Sequence, residues 1–310
     1  MSVLFGSCAL TRDMITNIGM NMSHPKKVDK IKNPVSEENK LSAIWVGHAT
    51  VLVQMDDKVI LFDPFFTLNS GEIQRRIWEP GVDLNAIKKC DLIMLSHSHF
   101  DHLNFGTLDL LNERFSKTPL VFPDGLEQFL PVYDFPLVRM KRGVKSPGKY
   151  IGETKVVNGI KVTTVVAYHW AGRYGLDGLI WGYESYTGYI LEYNGLTVYF
   201  SGDTAYDNNF FKFLDEKYDI DIALIPIGPC NECDHIHKPD RHVYPKGALK
   251  ILEETKSKVM IPIHYGTLYE KSKDPEEPRY VLEELVSKNT FYIEKVKILR
   301  IGEQYVVKKD

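Results

Sequence analysis

The feature that most limits what this chain can be is the run Ser96-His97-Ser98-His99-Phe100-Asp101-His102, an H-x-H-x-D-H block set between an apolar stretch and a helical one. Asp91–Ser96 is short and nearly continuously apolar, the pattern of a strand buried on both faces. Leu103–Phe115 carries apolar residues at helical spacing. The block is therefore a loop anchored at both ends. In an extended segment alternate side chains share a face, which sets His97 and His99 together. The turn that follows can carry Asp101 and His102 to the same cavity from the other side. Three imidazoles and a carboxylate meeting at one point are ligands that a borderline-soft divalent ion such as zinc takes.

The same arrangement recurs later in the chain. His169 follows the apolar run Val162–Ala167, Asp203 lies in Phe200-Ser201-Gly202-Asp203-Thr204, and His264 follows Val259–Ile263. Taken singly, each is an ordinary turn or capped polar residue. Taken together, His97, His99, Asp101, His102, His169, Asp203 and His264 are seven candidate ligands at strand exits. Seven exceed one tetrahedral ion and suit two ions a few ångströms apart with a bridging carboxylate.

The apolar runs Ala43–Val53 and Val59–Asp63, separated by Asp56-Asp57-Lys58, read as a hairpin. Further strands are expected at Gly159–Ala167, Gly188–Tyr193, Thr197–Ser201, Ile222–Ile227 and Lys258–Ile263. Helices are expected at Asn208–Lys217, Pro245–Thr255 and Pro275–Lys288, two of them opened by proline. Strands in two batches, each followed by helices, suit a layered α/β sandwich in one domain. That domain is expected over residues 41–310, with the polar residues 1–40 as an exposed N-terminal arm. Phe122–Tyr150 has scattered Pro, Gly and short apolar runs and resists assignment.

Charge and composition exclude other classes. Thirty-eight Lys plus Arg against 41 Asp plus Glu gives a net charge of −3 and no basic stripe, so no nucleic-acid partner is expected. No uncharged apolar stretch reaches the roughly 18 residues of a spanning helix. Four cysteines (Cys8, Cys90, Cys230 and Cys233) are too few for a disulfide scaffold, so a reducing, cytoplasmic setting is the default. Leu4-Phe5-Gly6-Ser7-Cys8 is a poor match to the tail of a clipped lipoprotein signal.

With His169, Asp203 and His264 following in order, the block resembles the metallo-β-lactamase-fold hydrolases. Several other segments narrow the likeness: Trp45-Val46-Gly47-His48-Ala49-Thr50, Asp63-Pro64, Asn112-Glu113-Arg114-Phe115, His169-Trp170, Ile180-Trp181-Gly182, Ile225-Pro226-Ile227-Gly228 and Ile263-His264-Tyr265-Gly266-Thr267. These resemble the N-acyl phosphatidylethanolamine-hydrolysing phospholipase D family, over roughly Ser42 to Gly302.

The resemblance implies an α/β (α+β) fold, a four-layer αββα sandwich with a dinuclear zinc site between the sheets. By the family pattern one zinc takes His97, His99 and His169, and the other takes Asp101, His102 and His264, with Asp203 bridging. Iron or manganese accept similar ligands. Asp63 is implied as a partner that orients a ligand imidazole. Asp101 and His242, the latter in Arg241-His242-Val243-Tyr244-Pro245, are the implied catalytic residues, His242 lying near the substrate phosphate and assisting the leaving alcohol. The implied reaction is hydrolysis of N-acyl phosphatidylethanolamine or another phosphodiester lipid. The alternatives are a lactonase or esterase on the same site, a nuclease, and a non-catalytic metal-binding protein. A phospholipid or other small phosphodiester, a peripheral membrane contact and a second copy of the chain are the expected partners. His48, in a turn beside a buried strand, reads as structural.

Two segments depart from the family pattern, the stretch between Gly228 and His242 and the N-terminal arm. The arm is rich in Lys and Asn where the family has membrane-contacting apolar elements, so such contact is expected instead from the Phe122–Tyr150 region. Cys230, Cys233, His235 and His237 form C-x2-C-x-H-x-H, which reads as a third metal site, a redox pair or a mobile loop at the site mouth. Phe129, Leu130, Tyr133, Phe135 and Leu137 read as either a membrane-contacting cluster or ordinary core.

Overall fold

Period-two alternation along the early strands decides the layering. A computed structural model describes residues 24–71, 74–173, 185–230, 233–237, 242–269 and 274–307. Ala43 and Trp45 of β1 (Leu41–Gly47), Val51 and Val53 of β2 (Thr50–Met55) and Ile60 and Phe62 of β3 (Lys58–Phe62) face one core. Their neighbours Ile44, Val46, Leu52, Val59 and Leu61 face another. Strands apolar on both faces must be covered on both, which demands more than two layers.

The first half continues through a ribbon, β4 (Asn69–Ser70) and β5 (Gln74–Arg75), to β6 (Leu92–Met94), α1 (Phe105–Phe115), β7 (Leu120–Pro123) and β8 (Leu137–Met140). The second half runs β9 (Ile151–Val157), β10 (Ile160–Val165), β11 (Gly188–Tyr193), β12 (Leu196–Phe200), α2 (Asn208–Lys217) and β13 (Ile222–Pro226). It ends with α3 (Pro245–Thr255), β14 (Val259–Ile263), α4 (Glu277–Ser287), α5 (Thr290–Lys295) and β15 (Gln304–Val306). Among the described residues one main sheet has the order β15-β1-β2-β3-β6-β7-β8 and the other β14-β13-β12-β11-β10-β9.

The sheets meet through rings such as Phe62 and Phe200, whose centroids are 4.6 Å apart. α1 buries Leu108 and Leu111 in the cluster on the outer face of the first sheet. α2 and α3 bury Phe210, Phe211, Leu214, Ala248, Ile251 and Leu252 with the second sheet. The result is the αββα sandwich expected from the sequence.

Three readings change in detail. The run Ala43–Val53 is two antiparallel strands, because Gly47 and His48 take φ +118° and +56° and turn the chain. Gly47 is required there: a Cβ would lie 2.5 Å from the Arg76 guanidinium, which is buried and donates to the Val46, Phe65 and Trp78 carbonyls. The unassigned Phe122–Tyr150 contains β8, the last residues of β7 and a short 3-10 turn at Leu126–Phe129. Phe135 is buried in the core beside α1, and Phe129, Leu130 and Tyr133 pack against that core, while Leu137 is exposed. Core packing therefore accounts for four of the five residues read as a membrane cluster.

Of residues 1–40, the first 23, with Cys8, lie outside the described residues. Lys26 pairs with the chain at Ile77 and Glu79, and the Gln54 amide donates to the Ser36 and Asn39 carbonyls, so residues 24–40 lie along the domain. Among the described residues no helix is long and apolar enough to cross a membrane.

Candidate metal centre

The site forms where strands end. β3 runs parallel to β6, and β12, β13 and β14 run parallel to one another, so their C-terminal ends open at one edge of the sandwich. Asp63 follows β3, the H-x-H-x-D-H loop follows β6, Asp203 follows β12 and His264 follows β14, while β10 leads to His169. The loop is tied across to the second sheet: the Thr187 N–H donates to the Ser96 carbonyl at 3.0 Å and the Tyr189 hydroxyl to the Leu95 carbonyl at 2.8 Å. Gly202, at φ +57°, lets the β12 exit pass Ser96, since a Cβ there would lie 2.8 Å from the Ser96 Cβ. That close passage delivers Asp203.

Two groups of donor atoms result. His97, His99, His169 and Asp203 offer ligand atoms within 4.8 Å of one another, and so do His48, Asp101, His102 and His264. In the first group His99 Nδ1 lies 2.8 Å from His97 Nε2 and 3.3 Å from His169 Nε2. In the second, His102 Nε2 lies 3.1 Å from His264 Nε2, and Asp101 Oδ2 lies 3.5 Å from His264 Nε2. Asp203 Oδ2 stands between the groups, 3.7 Å from His97 and His169, 3.3 Å from His102 and 3.2 Å from His264. All seven residues singled out in the sequence are thus brought together.

The electrostatics suit a cation. Burial pushes His97 well below its ordinary value, and His99 down to about 4, so both are neutral donors. Burial opposes ionisation of Asp101 and Asp203, yet the imidazoles around them, His102 and His264 foremost, hold both carboxyls well below the usual range. The same carboxylates overcome burial at His102, which is raised, and at His264, raised to about 10. The cavity is therefore built around positive charge. Asp203 Oδ1 and His264 Nδ1 are buried without a hydrogen-bond partner, and ring nitrogens face one another nitrogen to nitrogen. A divalent ion at each group fits that donor set.

The next layer of residues fixes these rings. Asp63 Oδ2 accepts from His102 Nδ1 at 2.6 Å and from the Ser96 hydroxyl at 2.6 Å, while Asp63 Oδ1 accepts from the Ser96 N–H at 2.7 Å. Ser96 Oγ, its proton given to Asp63, accepts from His97 Nδ1 at 2.9 Å. One carboxylate so sets the tautomer of an imidazole in each group and leaves both Nε2 atoms free for ligation. The sequence pointed to Asp63 but not to Ser96, whose place directly before His97 was the signal. It also read His48 as structural only. His48 Nε2 lies 2.7 Å from Asp101 Oδ2, inside the second group, and burial holds it down to about 4.

His242 lies at the rim, its Nδ1 3.6 Å from Asp203 Oδ2, and burial pushes it down to about 3. Trp170, 40% exposed, tilts over the His99 ring at 4.4 Å. Cys230 and Cys233 are joined in a disulfide packed beside Tyr244, and among the described residues no group of metal-type ligands includes them, His235 or His237. Residues 231–232 and 238–241, and the Ile180-Trp181-Gly182 motif, lie outside the described residues.

A model of the beta-lactamase superfamily domain matches residues 58–265. A UPF0173 metal-dependent hydrolase of Archaeoglobus fulgidus is 31% identical over 86% of this chain and 98% of its own length. An uncharacterized protein of Mycobacterium tuberculosis is 26% identical over 74% of this chain, which spans 60% of that relative's length. The N-acyl-phosphatidylethanolamine-hydrolyzing phospholipase D of Saccharomyces cerevisiae is 26% identical over 84% of this chain and 56% of its own. Among solved structures, a metallo hydrolase of Ignicoccus hospitalis has a TM-score of 0.59 at 20% identity, covering 87% of this chain and 99% of that one. A metallo-β-lactamase-fold protein of Bacillus subtilis has a TM-score of 0.55 at 14% identity, covering 86% and 99%. These last two share the fold.

Proposed function

This chain belongs to the beta-lactamase superfamily as a UPF0173-type metal-dependent hydrolase, and on that premise we propose that it is a two-zinc phosphodiesterase of phospholipase D type. The substrate in this reading is N-acyl phosphatidylethanolamine or a related phosphodiester lipid. The observation that carries it is the position of Asp203 Oδ2, 3.2–3.7 Å from imidazoles of both donor groups, as a carboxylate shared by two ions requires. The likeness to the yeast phospholipase D supplies the choice of lipid.

His97, His99 and His169 would hold one ion and Asp101, His102 and His264 the other, with Asp203 shared. Two such ions supply a Lewis acid for phosphoryl oxygens and a lowered pKa for water near neutrality. The chain's own residues do the rest. Asp63 and Ser96 keep the His102 and His97 rings in the tautomer that turns Nε2 inward. Asp101, kept ionised and held through Oδ2 by His48, turns its carboxylate toward the attacking water. His242, neutral at the rim, offers a ring N–H to the leaving alcohol oxygen as charge builds there. Trp170 gives the mouth an apolar wall for an acyl chain.

Product analysis tests the reading. Zinc-loaded protein and Asp101→Asn are incubated with N-acyl phosphatidylethanolamine in mixed micelles, and products are identified by mass spectrometry. Release of N-acylethanolamine and phosphatidic acid by the wild type, absent with Asp101→Asn, is the expected result. No phosphodiester cleavage alongside turnover of a lactone or ester would replace this reading with carboxylic ester hydrolysis on the same site.

A further inference from the structure

Arg173 takes no part in the chemistry above, yet it is only 7% exposed and sits against the loop that feeds both donor groups. Its Nη1 donates to the Ser98 carbonyl at 2.9 Å and to the Leu103 carbonyl at 2.8 Å. These two residues bracket His99, Asp101 and His102. The guanidinium lies between two rings, its central carbon 4.2 Å from the Phe100 centroid and 4.1 Å from that of Phe105. A cation removed from water is costly unless hydrogen bonds and ring contacts compensate it, and here Nη1 bonds two carbonyls while Phe100 and Phe105 lie against the guanidinium.

The loop's own bonds do not hold it at this span. The His102 and Leu103 N–H groups both turn back to the His99 carbonyl, which closes the second half of the loop only. The chord from Ser98 to Leu103, which sets how far His97 and His99 stand from Asp101 and His102, is bridged by Arg173. Arg173 also follows His169 by four residues, so one segment supplies a ligand to the first group and braces the loop that supplies the second. One nitrogen of Arg173 reaches both carbonyls, which an ammonium could also do, but only a planar guanidinium can at the same time lay its flat face against the Phe100 and Phe105 rings.

We propose that Arg173 is a positioning residue that fixes the spacing of the two donor groups, so that metal affinity and coordination geometry depend on it. The proposal rests on the site binding metal ions, and the experiment separates the two claims. Wild type, Arg173→Lys and Phe105→Leu are stripped with chelator and titrated with Co(II), recording stoichiometry, affinity and the visible d–d spectrum, with the thermal midpoint taken with and without metal.

Arg173→Lys is expected to bind Co(II) on the order of tenfold or more weakly, the usual effect of losing a residue that orients ligands. Its spectrum should be altered and its metal-dependent gain in midpoint smaller, with Phe105→Leu between it and wild type. A variant that melts lower without metal but keeps the wild-type spectrum and gain would make Arg173 merely structural and overturn the proposal. Wild-type protein that takes up no Co(II) would overturn the metal reading of the site and this inference with it.

Discussion

His48 and His264 meet inside the second donor group with ring centroids 4.0 Å apart, while the His264 backbone N–H donates to the His48 carbonyl at 2.9 Å. Both residues have left-handed backbones, at φ +56° and +63°, a conformation unusual outside glycine. The contacts that hold them there are plain: the Trp45 indole also donates to the His48 carbonyl, and the His48 N–H donates to Thr267 Oγ1. The turn between β1 and β2 and the exit of β14 brace each other, and the brace aims His48 at Asp101.

His48→Asn tests that aim. Asparagine tolerates the left-handed backbone, so the turn should survive while Asp101 loses its partner. The expected outcome is a protein that keeps one tightly held ion and binds the second 10–100-fold more weakly, read by metal analysis after stepwise chelation. Retention of both ions at wild-type affinity would return His48 to a purely structural part.

Asp63 and Ser96 should behave as one unit. Asp63→Asn breaks the bonds that set both the His102 and His97 tautomers, whereas Ser96→Ala breaks only the His97 arm. Metal affinity should fall further in Asp63→Asn than in Ser96→Ala, and the double variant should resemble Asp63→Asn alone. Additive losses in such a double-mutant cycle would mean the two side chains act separately.

How much of this was legible follows from particular residues. The H-x-H-x-D-H loop could be read because the apolar period changes from a strand to a helix on either side of it, and the later ligands because apolar runs end on them. The Gly47–His48 turn was hidden by β-branched residues on both sides, which read as one strand. β8 and β9 were obscure for a different reason: β8 is mostly exposed, and β9 alternates between exposed and half-buried residues. A strand that buries little leaves little pattern. The Asp63–Ser96 bond joins residues 33 positions apart, a tertiary contact that no local spacing carries, and only the adjacency of Ser96 to His97 was visible in the sequence.

Cys90 gives a prediction away from the site. The thiol is buried, and burial pushes its pKa from 9.0 up to about 12, so Cys90 is not a reactive thiolate near neutrality in the folded protein. Iodoacetamide at pH 8 should leave the Cys90 peptide unmodified in native protein and alkylate it in denaturant, as read by peptide mass spectrometry. Because the folded value lies above the unfolded one, the thiol's contribution to stability is complete below about pH 9 and falls as pH rises toward 12. Native labelling at a rate near that of the unfolded chain would contradict the burial.

The proposed sharing of Asp203 makes the sharpest prediction about the ions. His169 belongs to one donor group and His264 Nε2 pairs with His102 in the other, but Asp203 Oδ2 faces both. Metal-replete protein should melt higher than chelated protein, since binding to the folded state alone adds RT ln(1 + [L]/Kd), about 2.7 kcal/mol at a hundredfold excess over Kd. His169→Ala and His264→Ala should each forfeit the part of that gain due to one ion. Asp203→Asn, which leaves a neutral amide among imidazoles at 3.2–3.7 Å, should forfeit nearly all of it. Calorimetric titration of the three stripped variants with zinc decides the matter: one site lost in each histidine variant and both weakened in Asp203→Asn is the signature of a shared carboxylate, whereas loss of a single site in Asp203→Asn would assign that residue to one ion alone.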